Sequence, residues 1–336
     1  MIKEAISKLV EHIDLSAFEA EAVMREIMEE VATASQIAAY MTALRMKGET
    51  VDEITGSARV MREKAIQVRV DDPLVVDTCG TGGDHLNTFN ISTTVAFVVA
   101  GVGVTVAKHG NRSVSSACGS ADVLKALGVA INITPEKVEA CINDIGIGFL
   151  FAPLFHGAMK HAALPRQETG IRSIFNILGP LSNPAQASIQ VLGVFKPELT
   201  DLLAQVLVNL GSRHCFIVHG MDGLDEVTIT GKSRISEGKS GRVAAYFIEP
   251  KDFKRENAHI KDIVGGDAQT NAAILQSILR GEQGPQRDVV LMNAAPAFVA
   301  AGKSTTLQEG FALAEESIDS GRAMSKLDQL VEMTNK

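Results

Sequence analysis

The residues best suited to chemistry lie in one polar stretch, residues 77–120. These 44 residues contain seven Gly and eleven Ser or Thr but only four charged residues, Asp77, Asp84, Lys108 and Arg112. Glycines let the backbone come close to a ligand, while backbone N–H groups and hydroxyls donate hydrogen bonds without carrying charge. Such donors, supported by a few cations, are typical of a site that binds an anion. The stretch therefore predicts a local anion-binding site.

Its first segment is Asp77-Thr-Cys-Gly-Thr-Gly-Gly-Asp84, which we place directly after a strand. The glycines permit positive φ angles, so consecutive amides can converge on a phosphate. The pattern is neither a dinucleotide-binding Gly-x-Gly-x-x-Gly nor a Walker loop, because no Gly-Lys-Ser/Thr follows. Taken alone, the motif could equally be a tight strand-to-helix turn. The next polar run, Asn90-Ile-Ser-Thr93, is typical of a helix N-terminus and favours the phosphate interpretation.

The second segment, Lys108-His-Gly-Asn-Arg-Ser-Val-Ser-Ser116, also follows a predicted strand. From it, Cys118-Gly-Ser-Ala-Asp122 leads into another helix. A solvated loop is the alternative interpretation. Parallel strands, however, bring the loops at their carboxyl ends together at one edge of the sheet, where ligands bind. We therefore expect the two segments to form one site.

The scaffold that positions these segments is predicted to be an α/β domain with a mostly parallel central sheet. Short Val/Ile-rich runs alternate with helical patterns after residue 73. The predicted strands are Leu74–Val76, Val102–Val106, Gly146–Phe151, Ile189–Val194 and Cys215–Val218, with helices between them such as Pro135–Asp144 and Leu199–Leu210. We expect a further strand at Asp225–Thr230 and an exposed loop at Lys232–Arg242.

Residues 1–72 predict a small all-helical domain. Ser16-x-x-Glu19 and Thr50-x-x-Glu53 have the spacing of capping boxes, and Gly48 is placed to end the intervening helix. With nine Lys or Arg and fourteen Asp or Glu, the segment carries −5 of the net charge of −8. It holds six of the eleven methionines, among them Met24, Met28, Met41 and Met46. These side chains either fill the domain core or form a surface for a partner subunit.

Length, charge and cysteine content limit the possible functions. At about 150 residues per domain, 336 residues indicate two domains, which we place at 1–72 and 73–336. The net charge of −8 argues against general nucleic-acid binding, so any phosphate site must be local. The four cysteines form no Cys-x-x-Cys pair, which favours a reducing, cytoplasmic compartment. The most apolar stretch, residues 95–107, is too short for a membrane span, and we expect no membrane association.

Several motifs, in order and in register, resemble the anthranilate phosphoribosyltransferase family of tryptophan biosynthesis. They are Gly80-Thr-Gly-Gly-Asp84, Asn90-Ile-Ser-Thr93, Lys108–Ser116, Cys118-Gly-Ser-Ala-Asp-Val-Leu124, Ile171-Arg-Ser-Ile-Phe-Asn-Ile-Leu-Gly-Pro-Leu-Ser-Asn-Pro184 and His219-Gly-Met-Asp-Gly-Leu-Asp-Glu226. The resemblance covers nearly the whole chain. It implies a nucleoside phosphorylase/phosphoribosyltransferase-like fold, with the active site between a helical and an α/β domain, and a homodimer formed mainly through the helical domain.

The resemblance also implies the reaction and the residues that bind each substrate. Anthranilate attacks C1′ of phosphoribosyl pyrophosphate, giving N-(5-phosphoribosyl)anthranilate and pyrophosphate, with Mg²⁺, for which we expect two ions. The phosphoribosyl pyrophosphate site comprises Gly80, Gly83, Asp84, Thr88, Asn90, Ile91, Ser92, Thr93, Lys108, His109, Gly110, Asn111, Arg112, Ser113, Val114, Ser115, Ser116 and Ser120. The anthranilate site comprises Gly80, Asn111 and Arg166, and the metal residues are Ser92, Asp225 and Glu226. No acid or base is assigned, because the aniline nitrogen is already neutral at pH 7.

Two other interpretations remain open at this stage. A pyrimidine nucleoside phosphorylase shares the implied architecture and a glycine-rich phosphate loop, but it lacks the Lys-His-Gly-Asn motif that begins at Lys108. A non-catalytic, nucleic-acid-binding relative would need a basic groove and eroded motifs. The net charge of −8 and the intact motifs argue against that second interpretation.

Overall fold

The computed structural model describes residues 1–112 and 118–336 and begins with four helices. These are α1 (Ile2–Val10), α2 (Ala17–Met28), α3 (Ala34–Lys47) and α4 (Val51–Lys64). The later elements are β1 (Val75–Gly80), α5 (Ile91–Gly101), β2 (Thr105–Gly110), α6 (Ser120–Ala126), α7 (Pro135–Ile145), β3 (Ile147–Phe151), α8 (Ala152–Phe155), α9 (Lys160–Thr169), α10 (Phe175–Leu178), β4 (Ile189–Gly193), α11 (Glu198–Asn209), β5 (His214–Gly220), β6 (Ser233–Lys239), β7 (Arg242–Ile248), α12 (Ala268–Leu279), α13 (Pro285–Ala300), α14 (Leu307–Asp319) and α15 (Arg322–Asn335). Within the described ranges, no helix is both long and apolar enough to cross a membrane.

The strands form a sheet in the order β3-β2-β1-β4-β5-β6-β7. The first five strands in this order run parallel, and β6 and β7 continue the sheet antiparallel to β5. From β1 the chain first builds outward through β2 and β3, and it then returns to place β4 on the other side of β1. This reversal of direction makes the carboxyl ends of β1 and β4 a topological switch point, where open α/β sheets bind their ligands.

The predicted fold class is confirmed: helices come first, and a mostly parallel sheet covered by helices follows. All five strands that the sequence predicts in the parallel region are present. β1 and β2, however, extend further than expected, to Gly80 and Gly110. Asp77 and Lys108 therefore lie inside strands rather than in the loops that follow them.

Two predictions about residues 225–242 are wrong. Asp225–Thr230 is not a strand, because the side-chain amide of Asn293 on α13 donates to the Val227 carbonyl and accepts from the Val227 N–H, each at 2.8 Å. Lys232–Arg242 is not an exposed loop: it contains β6 and the turn of a β-hairpin whose second strand, β7, begins at Arg242. Ser240 and Gly241 turn this hairpin with φ angles of 50° and 79°, the positive values that a tight two-residue turn requires.

Local capping signals position the N-terminal helices. Both predicted capping boxes are present, and Gly48 ends α3 with a φ of 91°. Most of the predicted methionine stripe fills a core shared by the helices, whereas Met46 is 75% exposed. The same core includes side chains from α9, α10, α11, β4 and β5. The helical segment is therefore packed against one side of the sheet domain through α9–α11.

A buried carboxylate holds the N-terminal helices together. Glu53 on α4 is fully buried and accepts hydrogen bonds from the backbone N–H groups of Leu15 (2.9 Å) and Thr50 (2.8 Å). It also forms an ion pair with Lys47, whose side chain is 4% exposed, at 3.0 Å. One carboxylate thus joins the start of α2, the end of α3 and the start of α4, and its removal leaves buried donors without an acceptor.

We expect Glu53→Gln to destabilise the protein by about 2–4 kcal/mol, because it breaks a buried, hydrogen-bonded ion pair. Urea unfolding followed by circular dichroism measures this loss. The control is Glu63→Gln on the same helix, which removes an ion pair to Arg25 from a side chain that is 53% exposed. Exposed pairs contribute less than about 1 kcal/mol. Equal losses for the two variants would contradict the structural role of Glu53.

Candidate active site

A glycine loop at the switch point opens the candidate site. β1 ends at Gly80, and the Thr81 N–H then donates to the Gly193 carbonyl at the end of β4, at 2.9 Å. Gly82 and Gly83 follow with φ angles of 63° and 82°, in the left-handed region that favours glycine. The sequence therefore turns the backbone sharply at the edge of the sheet and exposes peptide groups there.

The segment around Asp225 packs against this loop at very short range. A Cβ atom on Gly193 would lie 1.6 Å from the Asp225 carbonyl oxygen, and one on Gly80 would lie 2.9 Å from the Asp225 carboxylate. Only glycines at both strand ends allow the segment to come so close. The Asp225 carboxylate then accepts a hydrogen bond from the Gly82 N–H at 2.8 Å.

Three carboxylates accumulate at this contact: Asp84, Asp225 and Glu226. Burial raises the pKa of Asp225, and the neighbouring Asp84 raises it further. Burial also raises the pKa of Glu226 well above its ordinary value, with Asp225 adding to the effect. Crowded carboxylates with raised pKa values mark a position where a cation would relieve the repulsion.

Lys108 is a buried cation on a strand of the sheet. It lies on β2 with 3% exposure, and its Nζ donates to the Thr78 carbonyl and, at 3.3 Å, to the Ser92 hydroxyl. Burial lowers the pKa of Lys108, while nearby Asp77 and Glu226 oppose that shift. The Ser92 backbone N–H in turn interacts with the Glu226 carboxylate. Two of the predicted metal residues, Ser92 and Glu226, thus come together beside Lys108.

The two polar segments meet as the sequence predicts. The Asn90 side chain donates to the Cys118 carbonyl at 3.1 Å, and the Thr93 hydroxyl donates to that of Ser120 at the same distance. Ile91 is buried in the sheet core and offers only its backbone to a ligand. Half-buried Thr88 lies on the glycine-loop side of α5.

The remaining residues of the second segment divide between the sheet and the surface. His109 and Gly110 are strand residues of β2, and Asn111 and Arg112 follow exposed. The Arg112 guanidinium lies 5.9 Å from the centre of the Phe151 ring. Ser113, Val114, Ser115 and Ser116 lie outside the described residues, so their predicted roles remain predictions.

Two histidines lie side by side beneath the site. The His109 and His156 rings are 5.1 Å apart between centres. Burial lowers the pKa of His109 to about 3, with His156 adding to that effect, and it lowers the pKa of His156 to about 4. Both imidazoles are therefore neutral at pH 7 and contribute shape and hydrogen-bonding capacity rather than positive charge.

Arg166 lies on α9, away from the glycine loop. Its guanidinium lies 5.5 Å from the centre of the Phe175 ring, and burial lowers its pKa. Within the part of the chain that the structure describes, no acidic side chain forms an ion pair with it. A half-buried guanidinium next to an aromatic ring suits a planar aromatic carboxylate.

The sequence reasoning missed Arg172. Its guanidinium lies 3.8 Å from the centre of the Phe195 ring and donates to the carbonyls of Gly82 (3.0 Å) and Gly83 (3.4 Å). The only feature of the sequence that points to Arg172 is the motif Ile171–Pro184, which contains this arginine but does not indicate which residues it contacts.

The acidic residues fit Mg²⁺ better than a closed protein metal centre. In residues 1–112 and 118–336, no three His, Cys, Asp or Glu side chains converge to form a complete ligand set. Asp225 and Glu226 form a sparse oxygen site, and the Ser92 backbone N–H interacts with the Glu226 carboxylate. Magnesium usually takes one or two carboxylates and completes its shell with waters and substrate phosphates. Burial and mutual repulsion raise the pKa values of Asp225 and Glu226, and a cation bound beside them would favour their ionised forms.

Most of the chain matches two glycosyl transferase family models. The helical bundle domain of this family matches residues 3–65, and its a/b domain matches residues 72–324. Among curated relatives, the chain is 57% identical to the anthranilate phosphoribosyltransferase of Geobacter sulfurreducens, with 100% of each chain covered. It is also 57% identical to that of Moorella thermoacetica, with 98% of each chain covered.

Solved structures agree in fold. The anthranilate phosphoribosyltransferase from Thermus thermophilus matches with a TM-score of 0.93 and 42% identity, over 99% of each chain. The Saccharomyces cerevisiae enzyme, solved in complex with PRPP and Mg, matches with a TM-score of 0.89 and 29% identity, over 99% of this chain and 98% of that one. A structure of the same yeast protein with 4-fluoroanthranilate has the same TM-score, 0.89.

In magnesium-free buffer, we expect the wild type to lose stability relative to Asp225→Asn as the pH rises from about 5 to 8. The unfolded chain ionises this carboxyl at its ordinary pKa, whereas the raised pKa makes the folded chain hold the proton to higher pH. The wild-type folded state therefore loses stability over this interval, and the variant does not.

Thermal unfolding midpoints at several pH values measure the difference. The exposed Asp328→Asn on α15 controls for the loss of one negative charge. A difference for Asp225→Asn that stays constant or shrinks with rising pH contradicts the raised pKa.

Proposed function

The chain belongs to the anthranilate phosphoribosyltransferase family of glycosyl transferases, and on that premise we propose how its residues carry out the reaction. The enzyme transfers the phosphoribosyl group of 5-phosphoribosyl 1-pyrophosphate to the amine of anthranilate, a step of L-tryptophan biosynthesis. The main support for this function is that the glycine loop, the N-terminus of α5 and the Asp225–Glu226 pair lie together at one edge of the sheet.

The sheet edge binds phosphoribosyl pyrophosphate. Backbone N–H groups of the Gly80–Asp84 loop and of the α5 N-terminus suit the pyrophosphate, because both present fixed donors without charged side chains. The polar residues of the second segment bind the rest of this substrate, from Lys108 through Asn111 and Arg112 to Ser120. Lys108 acts from below, since it is buried against Ser92. It compensates the negative charge of Glu226 and orients the Ser92 hydroxyl.

Magnesium binds together with the pyrophosphate, as two ions. We assign Ser92 to one ion and the carboxylates of Asp225 and Glu226 to the other. When bound by these residues, magnesium would supply positive charge for the leaving pyrophosphate. Magnesium must compete with protons for the carboxylates of Asp225 and Glu226, because the pKa values of both groups are raised. The Asp225 carboxylate, which already accepts from the Gly82 N–H, links the ion to the orientation of the glycine loop.

Anthranilate binds between α9 and the end of β2. The Arg166 guanidinium pairs with its carboxylate, while Asn111 and Gly80 lie toward the amine. The aniline nitrogen attacks C1′ of the ribose while the bond between C1′ and the pyrophosphate oxygen breaks, through an oxocarbenium-like transition state. The nitrogen then releases one proton to solvent. Because this nitrogen is neutral at pH 7, the residues mainly orient it, and the donors at the sheet edge stabilise the departing anion.

A fluorescence assay tests this function. We expect anthranilate fluorescence to fall when phosphoribosyl pyrophosphate and Mg²⁺ are added, and to stay constant with either one alone or with excess chelator. Pyrophosphate should appear in equal amount. Turnover in the absence of any divalent cation would contradict the magnesium requirement. If anthranilate is not consumed while inorganic phosphate cleaves a pyrimidine nucleoside, the substrate assignment is wrong.

We also propose that residues 1–72 form a dimerisation domain of a cytoplasmic homodimer, and that residues 73–336 form the catalytic domain. Large exposed apolar side chains support the dimer. Of thirteen such side chains in the described residues, seven belong to this first segment: Met1, Val10, Ile13, Phe18, Val31, Met46 and Ile66. Apolar surface concentrated in one small domain is typical of a protein interface. Side chains of α1–α4 share one core with α9–α11 and part of the sheet, whereas α5 and α12–α15 pack in a second core that contains no residue of α1–α4.

Light scattering after size exclusion should give about twice the 35.7 kDa chain mass. Met46→Glu places a charge on the proposed interface and should shift the protein toward the single-chain mass at low concentration. Met221→Glu, on the α/β domain, is the matched control, because that methionine is also exposed, at 52%. A single-chain mass for the wild type contradicts the dimer.

A further inference from the structure

Arg172 connects two parts of the site that are distant in sequence. It follows α9 directly, six residues after Arg166, and its guanidinium reaches the glycine loop at the end of β1. Two kinds of contact hold the guanidinium. The centre of the Phe195 ring lies 3.8 Å from the guanidinium carbon, and the Gly82 and Gly83 carbonyls accept hydrogen bonds from the guanidinium nitrogens.

Gly83 shows how closely the two parts fit. A Cβ atom at this position would lie 1.6 Å from Nη1 of Arg172, and the φ of 82° is one that glycine adopts readily. The backbone and the guanidinium therefore occupy complementary space. Arg172 has no carboxylate bound to its guanidinium among the described residues, although the nearby Asp225 raises its pKa against the lowering effect of burial.

Peptide geometry converts this contact into an orientation of donors. A trans peptide unit is planar, and its C=O and N–H point in opposite directions. When Arg172 holds the carbonyls of Gly82 and Gly83, the N–H groups of the same two peptide units, those of Gly83 and Asp84, must point away from the arginine. Within the described residues, neither N–H has a hydrogen-bond acceptor.

We propose that Arg172 is a positioning residue for the phosphoribosyl pyrophosphate subsite. By fixing two peptide planes of the glycine loop, it aims the N–H groups of Gly83 and Asp84 at the pyrophosphate. The inference rests on the proposed function. It adds that Arg172, which lies close in sequence to the proposed anthranilate residue Arg166, orients the site for phosphoribosyl pyrophosphate. It does not make Arg172 a ligand of either substrate.

The guanidinium is the group that this role requires. The side chain must donate hydrogen bonds to two carbonyls and also stack on one aromatic ring. The planar guanidinium of arginine can do both, and the ammonium of lysine cannot. An ammonium keeps the positive charge near Asp225 but has no face to stack on Phe195 and no fixed fork. Charge and geometry can therefore be separated by comparing Arg172→Lys with Arg172→Gln.

The test varies each substrate separately in the presence of saturating Mg²⁺. We expect Arg172→Gln to lower kcat/KM for phosphoribosyl pyrophosphate about tenfold or more, the effect of losing hydrogen bonds from a charged donor. The KM for anthranilate should change less than about threefold. Arg172→Lys should remain closer to the glutamine variant than to the wild type. Arg166→Gln should show the opposite pattern, a raised KM for anthranilate, and Arg242→Gln, exposed on β7, controls for arginine loss.

Calorimetric binding of phosphoribosyl pyrophosphate with Mg²⁺ gives a second readout that needs no turnover, and the same order of variants is expected. If Arg172→Gln does not fold, Phe195→Leu removes the stacking face alone and should give the same pattern with a smaller effect. Wild-type behaviour of Arg172→Gln, or of Arg172→Lys, overturns the proposal, and so does a selective rise in the KM for anthranilate. Absence of turnover in the wild type instead contradicts the proposed function.

Discussion

The close contact between the Asp225 backbone and Gly193 is the constraint on which the site depends. With the Asp225 carbonyl 1.6 Å from where a Cβ on residue 193 would lie, any other residue there must push the acidic segment away from the sheet. The Gly82 N–H would then lose its acceptor, and the carboxylates would leave the edge of the sheet where β1 and β4 end. One glycine at a strand end thus determines the position of the negative charge and the orientation of the neighbouring loop.

That position has an electrostatic consequence. When they are ionised, Asp84, Asp225 and Glu226 concentrate negative charge at the proposed phosphoribosyl pyrophosphate site, in a chain whose net charge is already −8. Lys108 is buried beneath them and compensates only part of this charge. An acidic protein can nevertheless bind a pyrophosphate when the anion comes with divalent cations, because the cations then mediate between two negative partners. The clustering of carboxylates therefore favours a pyrophosphate ligand that binds together with a metal ion over one that binds without a metal ion.

Local features could be predicted from the sequence, and contacts between distant segments could not. Capping boxes and the start of the predicted helix at Pro135 depend on neighbouring residues, and the structure confirms both. The meeting of the two polar segments followed from the topology of parallel strands. The Val227 backbone, by contrast, is satisfied by Asn293, 66 residues away, so an apolar run that suggests a strand does not form one. Arg172 was missed for the same reason, since its acceptors lie about 90 residues earlier.

The role of the helical segment follows from where α9 is anchored. Ala162 on α9 and Ile174 just beyond it share a core with Tyr40 and Met41 of α3, and the hydroxyl of Ser173 lies 3.7 Å from the Met41 sulfur. Arg172, between these anchors, contacts the glycine loop of the sheet. A shift of α3 relative to the sheet must therefore change both the position of Arg166 and the orientation of the loop peptides. The helices consequently help to position both proposed substrate sites, a role separate from any association of two chains.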